Sequence, residues 1–141
     1  MIALVLVSHS RQLALGVKQL ADQMADPALQ IVAVGGMNDT ESESEASDAL
    51  LGTDPMAIAD AIERNWQPDG VLLLVDLGSA VMSAEVAIEM LPPEMQRLCL
   101  ISNAPLVEGA VIAAIEAGFG KSLSEVNQAA EEAATLVKVA R

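Results

Sequence analysis

Four short apolar runs, none of them interrupted by a charge, are spaced along this chain with helix-length segments between them. They cover residues 2–7, 30–34, 71–75 and 98–102. Runs of this length without polar alternation read as strands buried on both faces. That burial is what a parallel sheet between helical layers demands. The intervening segments carry helical periodicity. Residues 11–24 place Leu13, Val17, Leu20 and Met24 on one stripe and stop at Asp26-Pro27. A second helix starts behind Thr53-Asp54-Pro55, a capping residue followed by proline at the first helical position. It carries Ile58, Ala61 and Ile62 inward, with Trp66 a further candidate, and closes near Pro68-Asp69-Gly70. A third covers 79–90 and meets Pro92-Pro93. The tail holds helices over 107–117 and 124–140, parted by Gly118-Phe119-Gly120. Ser122 and Glu125 are spaced as a capping box for the last of these. That helix has Val126, Ala130, Ala133 and Val137 on one stripe, with Leu136 beside it.

Alternating β and α units with right-handed crossovers predict an α/β three-layer sandwich. Its central sheet is mainly parallel, with about four strands in the order 2-1-3-4 and helices on both faces. Residues 1–141 are expected to form a single domain. One stretch, 35–54, is long for a βα connection. It holds Asp39, Glu41, Glu43, Glu45 and Asp48 and no base. A solvated loop is expected there, with a short helix over 46–51 as the alternative.

Composition narrows the function. Hydrophobic residues make up 52% of the chain, yet there is one Phe, one Trp and no Tyr, so the core must be aliphatic. Asp and Glu number 20 against 7 Lys and Arg, a net charge of −13. Such a surface repels nucleic acid, aids solubility and favours encounter with a cationic protein surface. No apolar run is long enough to span a bilayer, and the start lacks a signal-peptide pattern. Cys99 is alone and cannot form an internal disulfide, which points to a reducing, cytoplasmic setting. One His and one Cys argue against a protein-only zinc site, so no metal is expected.

The single histidine, His9, follows the first strand in Ser8-His9-Ser10. Ligands of open α/β sheets bind outside the carboxyl ends of the strands, at the switch point of the strand order. In a 2-1-3-4 sheet the ends of strands one and three meet there, which brings Asp76 of Asp76-Leu77-Gly78-Ser79-Ala80 beside His9. A carboxylate there can hold one ring N–H and leave the other nitrogen free to attack. Gly78 and Ser79 open a helix whose unpaired N–H groups suit a phosphoryl group. Ser8 and Ser10 can bond their own loop, cap the first helix or touch phosphate. Capping is the default for Ser10.

Five segments occur in order: Leu6-Val7-Ser8-His9-Ser10, Gly35-Gly36, Gly52-Thr53, Val75-Asp76-Leu77-Gly78-Ser79-Ala80 and Ala104-Pro105-Leu106-Val107-Glu108-Gly109-Ala110. Together they resemble the phosphotransfer subunits (DhaM) of phosphotransferase-system-dependent dihydroxyacetone kinases, within the mannose-family enzyme IIA proteins. The resemblance implies a dimeric α/β domain whose histidine, here His9, is phosphorylated, with Asp76 as its orienting carboxylate. Ser10, Gly78 and Ser79 become the candidate phosphoryl-binding residues. It further implies HPr, charged by enzyme I, as donor. The acceptor is ADP held on the nucleotide-binding subunit of the kinase, so the chain needs no cofactor of its own. Two features depart from the pattern. The family links its Gly-Gly to a Gly-Thr-Ser turn by a short Gly-rich segment, whereas this chain has the acidic 37–51 stretch and Asp54 after Gly52-Thr53. Some members also carry HPr-like and enzyme I-like domains downstream, so this chain takes its donor in trans or is a fragment.

Three rivals share features of the pattern. A sugar-specific mannose-type enzyme IIA would pass phosphate to a permease component. A class II tetrapyrrole metal chelatase also places histidine after its first strand, but it would want further His or acidic ligands. A response-regulator receiver needs an acidic pair where this chain has Ser8-His9-Ser10.

Overall fold

The computed structural model describes residues 1–37 and 50–141. Strands β1 (Ala3–Ser8), β2 (Ile31–Gly35), β3 (Val71–Val75) and β4 (Cys99–Ile101) form one sheet in the order β2-β1-β3-β4. Every strand pair is parallel. Helices α1 (Arg11–Met24), α2 (Pro55–Arg64), α3 (Gly78–Glu89), α5 (Leu106–Gly118) and α6 (Leu123–Glu132) cover its two faces, and a short α4 (Pro93–Gln96) leads into β4. The sandwich and its strand order are those the apolar runs predict.

Strand parity divides the core in two. Leu4, Leu6, Leu72 and Leu74 pack under α1, α5 and α6, with Val17, Ala21, Ala110, Ala114 and Val126. Ala3, Val5, Val7, Leu73 and Val75 pack under α2 and α3, with Ile58, Ile62, Ala80, Ala84 and Ala87. The helices meet the sheet largely through alanine, which brings their backbones close. At Gly109 a Cβ would stand 3.1 Å from Leu74 of β3 and 2.7 Å from the Cβ of Ala104. Helix ends follow local chemistry. Asp54 caps α2 ahead of Pro55 by accepting the Met56 N–H at 3.0 Å. Ser122 and Glu125 form the expected capping box on α6.

Three expectations need correction, and a fourth gains a detail. On α1 the buried stripe is Ala14, Val17 and Ala21, while Leu13, Leu20 and Met24 are exposed. Close seating on the sheet admits small side chains and turns the long ones outward. Helix α2 ends at Arg64, capped at Asn65, rather than near Pro68, and Trp66 is half-buried beyond it. Pro92-Pro93 does more than stop α3, because proline at the first helical positions starts α4. The last helix does not reach Ala140. It ends at Glu132 and passes through a 3₁₀ turn, Ala133–Thr135. Val126, Ala130 and Ala133 are buried, whereas Leu136 and Val137 are exposed. Beyond Ala133 the stripe finds no core, and the β-branched Thr135, Val137 and Val139 disfavour continuing the helix. The acidic stretch and the alternative helix over 46–51 fall outside the described residues, except at the ends. There Met37 and Leu50 form an antiparallel bridge.

Candidate active site

The site grows from strand register. Val7 pairs with Val75, and the Asp76 N–H donates to the Val7 carbonyl at 3.1 Å. Ser8 and Asp76 are therefore the next residues on neighbouring strands, and both continue the parity of Leu4, Leu6, Leu72 and Leu74. Ser8 is fully buried, and its hydroxyl donates to Asp76 Oδ2 at 2.9 Å. The same Oδ2 accepts the backbone N–H of His9 at 3.0 Å. Oδ1 accepts the Leu77 N–H at 2.8 Å and lies 3.0 Å from His9 Nδ1. Burial by itself would push the Asp76 carboxyl upward. The hydrogen bonds from the His9 backbone, the His9 ring, Ser8 and Leu77 outweigh it and hold the group below the ordinary aspartate value of 3.8.

An ionised carboxylate only accepts, so Nδ1 carries the ring proton and Nε2 presents its lone pair. Nε2 lies 2.7 Å from Ser79 Oγ, which donates to it. Ser79 is the second residue of α3, whose start has no side-chain cap. The first N–H groups of a helix have no partner within it and favour negative charge. The unprotonated nitrogen therefore faces the start of a helix suited to an anion. Gly78 opens that helix with no heavy atom within 4 Å of where a Cβ would stand. The His9 side chain keeps 25% of its surface exposed, so the ring is not sealed off from solvent.

Two further contacts hold the histidine loop. Gly35 at the end of β2 packs against its backbone, and a Cβ there would stand 2.8 Å from the Ser10 carbonyl oxygen. On the other side the Gly52 N–H donates to the His9 carbonyl at 2.8 Å. Gly52 has φ +143°, and a Cβ would meet the Met37 side chain at 2.6 Å, so the turn requires glycine. Thr53 Oγ1 and Ser83 Oγ, 2.6 Å apart, tie this turn to α3.

Structure thus brings together His9, Asp76, Ser79 and the start of α3 at Gly78. Ser10 is at the same loop, but its hydroxyl caps α1 by accepting the Leu13 N–H at 3.2 Å. Sequence reasoning left Ser8 without an assigned partner and did not see the Gly52 clamp. Parity could have found Ser8, since the register that aligns Val7 with Val75 also aligns Ser8 with Asp76. Nothing in the spacing announced that residues 52 and 53 return to residue 9. A cavity of about 350 Å³ at the β2 edge, between Arg11, Gly36 and Arg64, does not include His9. Among the described residues no group of three or more His, Cys, Asp or Glu is placed to hold a metal ion. Nor is any described helix long and apolar enough to cross a membrane.

Comparison with known proteins places the chain in a family. The EIIA-man family model, described as PTS system fructose IIA component, matches residues 3–127. A Listeria innocua protein, the phosphoryl donor subunit DhaM of PEP-dependent dihydroxyacetone kinase 2, is 36% identical over 91% of this chain and 95% of its own length. The corresponding DhaM of Escherichia coli (strain K12) is 38% identical over 89% of this chain. That of Providencia stuartii is 37% identical over 94%. The chain spans only 25% and 27% of the length of these last two. The crystal structure of EF1359, a protein of unknown function, superposes with a TM-score of 0.75 at 37% identity, covering 93% of this chain and 94% of the other. With a mannose-type fold, a histidine at the switch point and relatives matched along most of its length, the chain belongs to the EIIA-man family and, within it, to the DhaM phosphoryl donor subunits.

Proposed function

We propose that this chain is a phosphohistidine relay, the phosphotransferase component of a phosphoenolpyruvate-dependent dihydroxyacetone kinase. His9 Nε2 takes a phosphoryl group from phospho-HPr and passes it to ADP held on the nucleotide-binding subunit. The observation that carries this reading is the pairing of Nδ1 with Asp76, which leaves Nε2 as a lone pair facing the start of α3. In the first step that lone pair attacks phosphorus while the P–N bond of the donor phosphohistidine breaks, and the donor ring recovers its electron pair. Asp76 stabilises the positive charge that builds on the His9 ring. Ser79 and the first N–H groups of α3 hold the equatorial oxygens. In the second step a β-phosphate oxygen of ADP attacks, the P–Nε2 bond breaks, and neutral imidazole returns. A partly exposed histidine suits transfer between proteins, and the relatives bear the name of phosphoryl donor subunits.

The test is incubation with phosphoenolpyruvate, enzyme I and HPr. An acid-labile, base-stable adduct is expected, present in the wild type and absent in His9→Ala. Adding the ADP-loaded nucleotide-binding subunit should discharge it, with ATP formed one for one. Discharge only by a sugar-permease component would replace this reading with a sugar-specific enzyme IIA. We also propose a homodimer. The exposed α1 stripe of Leu13, Leu20 and Met24 offers apolar surface for one. A sedimentation mass of one chain at micromolar concentration would reject it.

A further inference from the structure

We propose that Ser8 is a positioning residue for phosphoryl transfer: its buried hydroxyl locks the Asp76 carboxylate to the loop that carries His9. The rate consequence rests on the relay reading above, whereas the effect on the imidazole tautomer does not.

Ser8 Oγ sits at the centre of two linked bonds. It accepts the Ser10 N–H at 3.0 Å, closing a tight turn around His9. That acceptance directs its own proton to Asp76 Oδ2, 2.9 Å away. One hydroxyl therefore joins the backbone on the far side of His9 to the carboxylate that orients the ring. Ser8 is fully buried at the end of β1, next to a core of leucine. No water can replace the hydroxyl at such a position without a cavity to hold it.

The remaining donors do not perform this task. Rotation about the carboxylate's last torsion is soft, so the direction of Oδ1 depends on what holds both oxygens. His9 N–H and Leu77 N–H each reach one oxygen, and neither ties the carboxylate to the backbone beyond His9. Ser8 is the only side chain other than His9 itself that donates to Asp76 among the described contacts. Without it the Ser10 N–H loses its acceptor and Oδ2 keeps a single donor. The loop and the carboxylate can then drift apart. Nδ1–H is no longer held, and the proton redistributes toward Nε2, the nitrogen that must attack.

The protein has one histidine, so ¹⁵N labelling of histidine gives one ring to read. In the wild type the Nδ1–H tautomer is expected to dominate at a pH where the ring is neutral. In Ser8→Ala the Nε2–H form should rise to about a third or more, and the transfer rate per folded molecule from phospho-HPr should fall about tenfold. That is the lower end of what losing an outer partner of a functional histidine does in metal sites. Ser8→Thr, which restores the hydroxyl, should return both readings to within about threefold of wild type. If Ser8→Ala does not fold, Ser8→Cys keeps the volume with only a weak donor and is expected to move both readings in the same direction. A folded Ser8→Ala or Ser8→Cys that keeps the Nδ1–H tautomer overturns the proposal, whatever the transfer assay shows. So does a tautomer shift that Ser8→Thr fails to reverse. Absence of phosphorylation in the wild type itself would reject the relay reading and leave the tautomer result to decide on Ser8.

Discussion

Ser79 Oγ lies 2.7 Å from His9 Nε2, on the side of the imidazole opposite Asp76. The ring is thus held between a carboxylate that accepts its Nδ1–H and a hydroxyl that donates to Nε2, where the proposed relay brings the incoming phosphorus. In the proposed relay a phosphoryl group on Nε2 displaces that hydroxyl, which then donates to a phosphoryl oxygen. Ser79→Ala should leave the fold unchanged, because the side chain is exposed. It should slow both loading and discharge roughly 10-fold or more, in the range that loss of one oxyanion donor approaches. Rapid-quench measurement of the phosphoprotein from each direction checks this. A change in one direction alone would confine the residue to one partner complex.

Asp76→Asn should be worse than the loss of one bond. Four donors converge on the carboxylate, and an amide must turn its NH₂ toward two of them. Placed against Nδ1, it donates to the ring and moves the imidazole proton to Nε2. In the serine-hydrolase triad the equivalent substitution lowers kcat by about 10⁴. A fall of between roughly 10² and 10⁴ in transfer rate is expected here.

The same carboxylate carries a pH signature. Its folded value lies below the ordinary 3.8, so it contributes stability that is present above the unfolded value and is lost as pH falls through the folded one. Urea unfolding between about pH 6 and pH 2 should show the advantage of wild type over Asp76→Asn shrinking as acid is added. A constant difference across that range would mean that the hydrogen bonds do not favour the charged form.

Gly35→Ala tests the floor beneath the histidine loop. The new methyl would lie 2.8 Å from the Ser10 oxygen and 2.9 Å from the Ser8 oxygen, both backbone atoms that cannot swing aside. Overpacking of this kind costs about 1–3 kcal/mol. It should also push the loop off Asp76, so transfer falls more than global stability alone accounts for. Combined thermal melts and transfer rates per folded molecule make the comparison.

How much of this could be read in the chain depends on the range of the interaction. The strands were legible because burial on both faces leaves no polar residue in Val71–Val75, and the 2-1-3-4 order is a common doubly wound arrangement of such units. His9 and Asp76 were legible together because each ends a strand at the switch point. The helix faces were less so. Leu13 and Leu20 have the periodicity of a core stripe, yet Ala14, Val17 and Ala21 occupy it, since helix-to-sheet distance is set by residues on other elements. The tail misled for a related reason. Helical periodicity continues past Ala133, but burial does not: Leu136 and Val137 are exposed, and the tail keeps only surface contacts such as the Lys138–Glu108 pair with α5. The clamp from Gly52 to His9 joins residues 43 positions apart through an antiparallel bridge between Met37 and Leu50. No local pattern encodes such a return.

Cys99 in β4 offers a chemical check on the edge of the sheet. Burial pushes its thiol up to about 11. At pH 8 its thiolate is therefore about one part in a thousand, against roughly a quarter for an ordinary cysteine. Alkylation by iodoacetamide should be roughly two orders of magnitude slower in the folded protein than in urea. It should accelerate tenfold per pH unit up to the folded value. Rapid modification at pH 8 under native conditions would show that the β4 edge opens.

The rim of the site carries the prediction about partners. Leu77 separates Asp76 from Gly78, Met82 lies one turn along α3 from Ser79, and Met56 is near the start of α2. These three are 60%, 71% and 69% exposed. Large apolar side chains in such positions cost solubility and contribute nothing to the core, while flexible methionines adapt to more than one partner. The proposed relay meets a donor and an acceptor in turn at this rim. Leu77→Ser and Met82→Ser should therefore leave the melting temperature within a degree or two and lower kcat/KM for the phosphorylated donor protein. Side chains at the centre of such contacts are worth about 1–2 kcal/mol, or roughly 5- to 30-fold. The rate at saturating donor should barely change, because neither side chain touches the ring. Acetyl phosphate, a small donor with no surface to dock, should phosphorylate wild type and both variants equally. An equal loss with acetyl phosphate and with the donor protein would assign these residues to the geometry of the site and not to docking.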